Sequence, residues 1–196
     1  MQRIGSFEKV SFQQFEADMK SEFGEVFRQR QNGIDDMNML MNLMFGDKHG
    51  FEPMTDEEIM VAYSAIRLPV RATSGSAGYD IRSPFSFLLR VGESIKIPTG
   101  LRVKIDDGWW LGCFPRSGLG FKYAARLANT VGVIDGDYYG SKNEGHIILK
   151  LRNEGSDNIT INEGDGIAQA IFLPFGITVD DNATGERDGG FGSTGR

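Results

Sequence analysis

The chain has 196 residues, a formal net charge of -6 and one cysteine, Cys113, a length that supports one sizeable core with an appendage rather than two equal domains. A single cysteine excludes an internal disulfide and any multi-cysteine metal centre. The acidic balance argues against a surface that grips nucleic acid by neutralising its phosphates, while converging arginines and backbone amides still permit a locally positive pocket.

The opening MQRIGSFEKVSFQQFEADMK lacks the apolar run of a secretory signal, and no uncharged stretch is long enough to span a bilayer, so a soluble cytoplasmic protein is expected. Residues 1–60 are rich in Met and Phe and poor in β-branched residues, which predicts a helical N-terminal extension. Ser11 and Gln14 have capping-box spacing, and Phe12, Phe15, Met19, Phe23 and Phe27 recur at intervals of three and four, on one helical face. A second helix is predicted from Asp35 to Phe45 with Gly46 as its stop, and Thr55 with Glu58 suggests a third helical turn. Met37, Met39, Met41 and Met44 are read as packing onto the rest of the protein or a neighbouring subunit; the alternative is a soft docking surface for a partner.

From 61 to 180 the texture changes to short alternating runs broken by Gly, Pro, Asn and Asp, the pattern of a mainly β sandwich or barrel. Ile95 and Ile97, then Leu101, Val103 and Ile105 after Pro98-Thr99-Gly100, predict a hairpin. Further strands are expected at 109–114, 146–152, 159–161 and 167–173, with turns at Asn153, Gly155 and Gly164. The last segment, 181–196, ends in DGGFGSTGR; its glycines make a poor core, so a flexible arm that orders on a ligand is expected.

Five segments carry more polar chemistry than strands need: SAGYDI, PRSGLG, NTVGVIDGDYYG, GDGIAQAIF and GGFGSTG. In PRSGLG, Arg116 offers a planar fork of donors, Ser117 a hydroxyl and Gly118 an unobstructed backbone; in isolation a strand, a β-turn and a surface arginine fit equally well. It is not a Walker loop, lacking the Gly-Lys-Ser/Thr ending. Asp135 and Asp137, enclosed by glycines in GVIDGDYYG, suggest a hairpin approached closely by something else, or plain turn formers. Asp80 is a turn residue or a carboxylate for a hydrated metal. In the tail, Phe191 suits base stacking, with Ser193, Thr194 and the Gly192 backbone near a polyphosphate; a flexible linker is the competing account.

Taken together and in order, these five segments resemble the five motifs of the trimeric all-β dUTPase family, with phage or bacterial members in view. The resemblance runs from about Ala65 to the C-terminus. It implies a jelly-roll-like subunit, a homotrimer with active sites shared between subunits, and a C-terminal arm closing over dUTP. It places Asp135 at the water-activating carboxylate and Asp80 at the carboxylate that reaches Mg²⁺ through water. Arg116, Ser117 and Gly118 fall at phosphate contacts, and Gln169 at the phosphate-side amide. Asn129, with the Gly132 and Ile134 backbone, falls at the uracil pocket, and Tyr138 at the ring under deoxyribose that excludes a 2'-hydroxyl. Phe191, Gly192, Ser193, Thr194 and Arg187 fall on the closing arm. Two departures stand out: Gly166 occupies a position where the family usually has Arg, and Arg187 stands one residue closer to the glycine pair than usual.

The implied reaction is hydrolysis of dUTP to dUMP and pyrophosphate by direct water attack at the α-phosphorus, limiting uracil in DNA and supplying dUMP for thymidylate synthesis. Magnesium, an oxygen-seeking ion that keeps several waters, is expected to ride on the triphosphate. Ser117 has no evident His partner for a covalent route, and Cys113 reads as a small strand residue. Two alternatives are kept: a dCTP deaminase-type enzyme of the same superfamily, and an added regulatory protein partner of the N-terminal extension, as phage members can have.

Overall fold

Alternation of apolar and polar side chains dictates which face of each strand is buried, and beyond residue 78 this pattern governs the chain. The computed structural model describes residues 2–31 and 54–185, with the side chains of 24–31 outside that description. The strands are β1 (Gly5–Lys9), β2 (Tyr79–Arg82), β3 (Phe87–Leu89), β4 (Ser94–Pro98), β5 (Leu101–Ile105), β6 (Trp109–Pro115), β7 (Ala125–Leu127), β8 (Gly132–Ile134), β9 (Ile148–Asn153), β10 (Ile159–Ile161) and β11 (Gly166–Pro174). Helices are α1 (Phe12–Gln31), α2 (Asp56–Ala65) and α3 (Ser117–Tyr123), with a 3-10 turn over Gly136–Gly140.

All pairings are antiparallel, in sheets ordered β2-β11-β6-β8, β4-β9-β7, β1-β5 and β3-β10. Strands β5, β7, β9 and β10 bury every second residue, as a half-covered strand must. Their inward faces meet in one core that includes Ile81, Leu89, Ile97, Leu101, Leu111, Leu127, Ile134, Leu151 and Ile159. The mainly β, jelly-roll-like architecture agrees with expectation.

The pairing of β4 and β5 does not. They form no hairpin: β4 pairs with β9 and β5 with β1. Alternation identifies the buried face but not the neighbouring strand. At the junction Gly100 takes φ +71, and the Thr99 hydroxyl donates to the Ile147 carbonyl at 2.6 Å, so the corner bonds to another loop and the chain changes sheet.

The N-terminal extension, expected to be helical, begins ahead of its first helix with a strand, β1, laid along β5 in the register Gly5↔Ile105 to Lys9↔Leu101. An open edge of β5 satisfies this short strand's backbone groups. Helix α1 then buries Phe15 and Met19, with Phe12 and Phe23 packed partly against the same core. The predicted cap forms by half: the Gln14 N–H donates to the Ser11 hydroxyl at 3.1 Å, but the Gln14 amide reaches Asp18 at 2.8 Å. Glu144 takes over the other half, accepting the Ser11 N–H and hydroxyl at 2.7 Å each. Thr55 and Glu58 make a complete capping box, and the turn they open is the ten-residue helix α2, burying Ile59 and Ala62. The helix expected at 35–45 and its methionines Met37, Met39, Met41 and Met44, like Phe27's side chain, lie outside the described residues.

Candidate active site

The four-stranded sheet aligns Asp80 (β2), Gln169 (β11) and Phe114 (β6) in one cross-strand row. Directly opposed residues of antiparallel strands share a face, so the Asp80 carboxylate and the Gln169 amide are neighbours. Gly78 keeps that amide in place by having no side chain: a Cβ there would stand 2.8 Å from Gln169 Oε1. Arg116, immediately after β6, brings its Nε to 3.5 Å from Asp80 Oδ1, and Arg82 Nη2 stands 3.9 Å from Asp80 Oδ2. Two guanidiniums around one carboxylate leave a net positive patch on an acidic protein, the electrostatics a triphosphate needs.

Gly166 completes this arrangement. A Cβ at 166 would lie 1.9 Å from Arg116 Nη1 and 2.7 Å from its Cζ, so the Arg116 guanidinium spreads over the bare glycine backbone. The volume that an arginine at this position would enter is thus filled by Arg116 itself.

Downstream, PRSGLG does not turn back as a β-turn but enters α3, with Arg116 as N-cap (φ -74, ψ 137) and no side chain capping the helix. Ala124 in the left-handed region closes it. Ser117 and Gly118 are exposed, and nothing lies within 4 Å of a Cβ added at Gly118.

A second group sits elsewhere. Strand β8 pairs Gly132 with Cys113 and Ile134 with Leu111; a Cβ at Gly132 would approach Cys113 Cβ to 3.2 Å and Asn129 Nδ2 to 3.9 Å. Asn129 is exposed in the turn after β7, with its carbonyl accepting the Val131 N–H at 2.7 Å. The hairpin expected at GVIDGDYYG does not form: β8 pairs with β6, and a 3-10 turn over Gly136–Gly140 follows it in place of a returning strand. Asp135, half-buried at φ -82 and ψ 158, is instead the N-cap of the 3-10 turn.

Tyr138 is enclosed in the core, 3% exposed. Its hydroxyl donates to the His146 carbonyl and accepts from Asn143 Nδ2, both at 2.8 Å. The residues His146, Asn143 and Glu144 carried no local sequence signal of importance; their roles come from partners far along the chain.

Within one chain Asp135 and Arg116 are not brought together. Continuing the β6·β8 register past Leu111↔Ile134 puts Asp135 level with Trp110, six residues from Arg116, or about 20 Å at strand rise. Arg187, Phe191, Gly192, Ser193 and Thr194 lie outside the described residues.

The dUTPase family model matches residues 64–195 of this sequence. The chain belongs to the dUTPase family. A deoxyuridine 5'-triphosphate nucleotidohydrolase of Escherichia coli is 42% identical over 137 residues, covering 66% of this chain and 87% of that protein. One from Lactococcus lactis is 39% identical over 143 residues, covering 70% and 95%. Among solved structures, the dUTPase of Streptococcus mutans superposes with a TM-score of 0.53 at 33% identity, over 67% of this chain and 96% of that one. Hydrolysis of dUTP, the reaction of a dUTP diphosphatase, is therefore its activity, and the deaminase alternative is not favoured. The family match leaves out β1, α1 and most of α2, so the dUTPase motifs and the N-terminal helices occupy separate stretches of sequence.

Among the described residues no cluster of three or more His, Cys, Asp or Glu could cage a metal, and no helix is long and apolar enough to cross a membrane.

Proposed function

We propose that the enzyme hydrolyses dUTP by direct attack of water at the α-phosphorus with Asp135 as proton acceptor, in a homotrimer whose sites join the Asp135 segment of one subunit to the Asp80–Arg116–Gln169 cluster of another. The observation that carries this reading is the separation of about 20 Å between Asp135 and Arg116 along the strand direction. Asp135 reaches a phosphate held by Arg116 if a neighbouring copy supplies one of the two, with Asn129 and the Gly132 and Ile134 backbone holding the base.

The chemistry divides accordingly. Asp135 takes the water's proton, the carboxylate type suited to a general base once solvent is displaced. The Arg116 fork and the Ser117 hydroxyl neutralise and align the phosphates, Gly118 leaves room for them, and the Gln169 amide adds a donor. Asn129 reads the uracil edge, and unsatisfied polar groups disfavour cytosine by about 1–3 kcal/mol each. Arg187, Phe191, Gly192, Ser193 and Thr194 are assigned to the base and outer phosphates by the family motif they match. Tyr138 contributes the wall beneath the deoxyribose from its fixed place in the core.

A covalent route has no support. His146 is fully buried, with Nδ1 against Asp18 and Nε2 accepting from the Gly100 N–H, and burial pushes the Cys113 thiol up to about 12, far from a thiolate at neutral pH.

The donor set suits Mg²⁺ carried by the triphosphate, since among the described residues no cluster of carboxylates joins Asp80 to form a protein cage. A phage phi11 dUTPase of S. aureus, with the same fold at 23% identity, coordinates a structural Mg(II) ion. Bound there, the ion would supply charge neutralisation on the phosphates, with Asp80 holding one of its waters.

Mixing inactive variants tests the shared site. Asp135→Asn should lower pyrophosphate release about 100- to 10,000-fold, and Arg116→Ala should also be impaired. After subunit exchange of equal amounts, random assembly gives about a quarter of the sites one intact half from each partner. Recovery near that level is expected; no recovery in trimers shown by mass spectrometry to be mixed would refute the shared site.

A further inference from the structure

Loop 141–147 lies between the catalytic turn and helix α1 and bonds to both. On the helix side, the buried His146 accepts the Gly100 N–H at Nε2 (2.7 Å), so its proton resides on Nδ1 and is donated to Asp18 of α1 at 2.5 Å. Glu144, at φ +58, accepts both donors of Ser11 at the start of α1. Gly100 must be bare for this contact: a Cβ would lie 2.1 Å from Ile66 Cδ1 and 3.3 Å from the Phe15 ring. The helical insert therefore seats directly on the corner whose amide holds His146.

On the turn side, the Tyr138 hydroxyl donates to the His146 carbonyl and receives the Asn143 amide. The loop also touches the turn's backbone: a Cβ on Gly145, at φ +69, would come within 2.7 Å of the Tyr138 carbonyl oxygen and 2.8 Å of Tyr139 Cα. Arg102 stacks on the Tyr139 ring at 3.5 Å, and the Tyr139 hydroxyl donates to Glu8 of β1 at 2.7 Å. Elements preceding the family-matched region thus hold the turn that follows Asp135.

We propose that helix α1 positions the catalytic turn through Asp18, His146 and Asn143, and that this latch sets the Tyr138 ring and hence the preference for dUTP over UTP. This rests on the reading of Tyr138 as the wall beneath the deoxyribose. Asp18, His146 and Asn143 are positioning residues; they hold the ring that meets the sugar. A site walled by shape alone rejects one added hydroxyl by roughly 100-fold, and a loosened ring forfeits part of that.

The test uses the full-length enzyme with magnesium, measuring kcat and KM for pyrophosphate release from dUTP and from UTP. Asp18→Ala should lower the dUTP-to-UTP ratio of kcat/KM about 10-fold, and Asp18→Asn, which keeps an acceptor oxygen for Nδ1–H, should restore most of it. Asn143→Ala, which leaves the α1 contacts intact, should lower the ratio in the same direction, and it serves as the deciding variant if Asp18→Ala does not assemble. A lowered melting temperature with an unchanged ratio in Asn143→Ala would reduce the latch to a structural brace and overturn the proposal. If Asp135→Asn turns over dUTP at the wild-type rate, the underlying site reading fails; if that variant is inactive and the ratio is unchanged, only the positioning role fails.

Discussion

Substituting Gly166 by alanine separates stability from substrate binding in a way the structure makes quantitative. The added methyl would stand 1.9 Å from Arg116 Nη1 and 2.7 Å from Cζ, so the guanidinium must leave its place over β11. Folding should hardly notice. Gly166 lies outside the positive-φ region, and alanine at a compatible site stabilises by about 0.4–1 kcal/mol through the unfolded chain. The half-exposed Arg116–Asp80 pair is worth about 0–1 kcal/mol, so the two effects offset. Binding should suffer more, because a hydrogen bond to a charged group contributes about 1.5–3 kcal/mol, a KM increase of roughly 10- to 100-fold if the Arg116 contact is lost. The assay is pyrophosphate release across dUTP concentration, alongside thermal unfolding of the same preparation. A Gly166→Ala enzyme with wild-type KM, when Arg116→Ala has a raised one, would refute the idea that Gly166 sets where Arg116 stands.

Cys113, fully buried with its thiol pushed up to about 12 by desolvation, should resist alkylation at pH 8 in the native enzyme and react promptly in denaturant; fast native labelling would contradict its burial. Glu144 is held below the usual carboxylate range, first by the Ser11 hydroxyl and then by the Ser11 N–H. With the folded value depressed, its contribution is complete above the unfolded value of about 4.3 and is lost as pH falls through the folded one. The protection factors of amides at the start of α1, with the intrinsic pH dependence of exchange divided out, should therefore fall on acidification into that range, and Glu144→Gln should remove this part of the pH dependence. Leu111→Ala, at a fully buried site where β6 meets β8, should cost about 2–5 kcal/mol in denaturant unfolding; a loss under about 1 kcal/mol would mean the site collapses around the smaller side chain.

Local chemistry was legible where it depends on near neighbours. The 3- and 4-residue spacing of Phe12, Phe15, Met19 and Phe23 announces α1, and Thr55 with Glu58 announces α2. Alternation in 95–105 names the inward faces correctly. The hairpin inferred there was wrong because the Thr99 and Gly100 backbone and side-chain groups bond to the 146–147 loop rather than closing a two-strand turn. Helix α3 went unread, since two glycines in seven residues disfavour a helix that tertiary packing nevertheless stabilises. Strand β1 was hidden in a helix-forming composition and exists because β5 offers it an edge.

By itself the sequence determined the β-rich class, the family and the identity of the polar segments, because each depends on residue type and order over a few positions. Tertiary structure alone decided that Arg116 lies across Gly166 beside Asp80, that Asp135 caps a 3-10 turn at the other end of the sheet, and that His146 joins α1 to Tyr138. The physical reason is the same in each case: which groups share a face or satisfy one another's hydrogen bonds is settled by strands and loops that pair across long sequence separations.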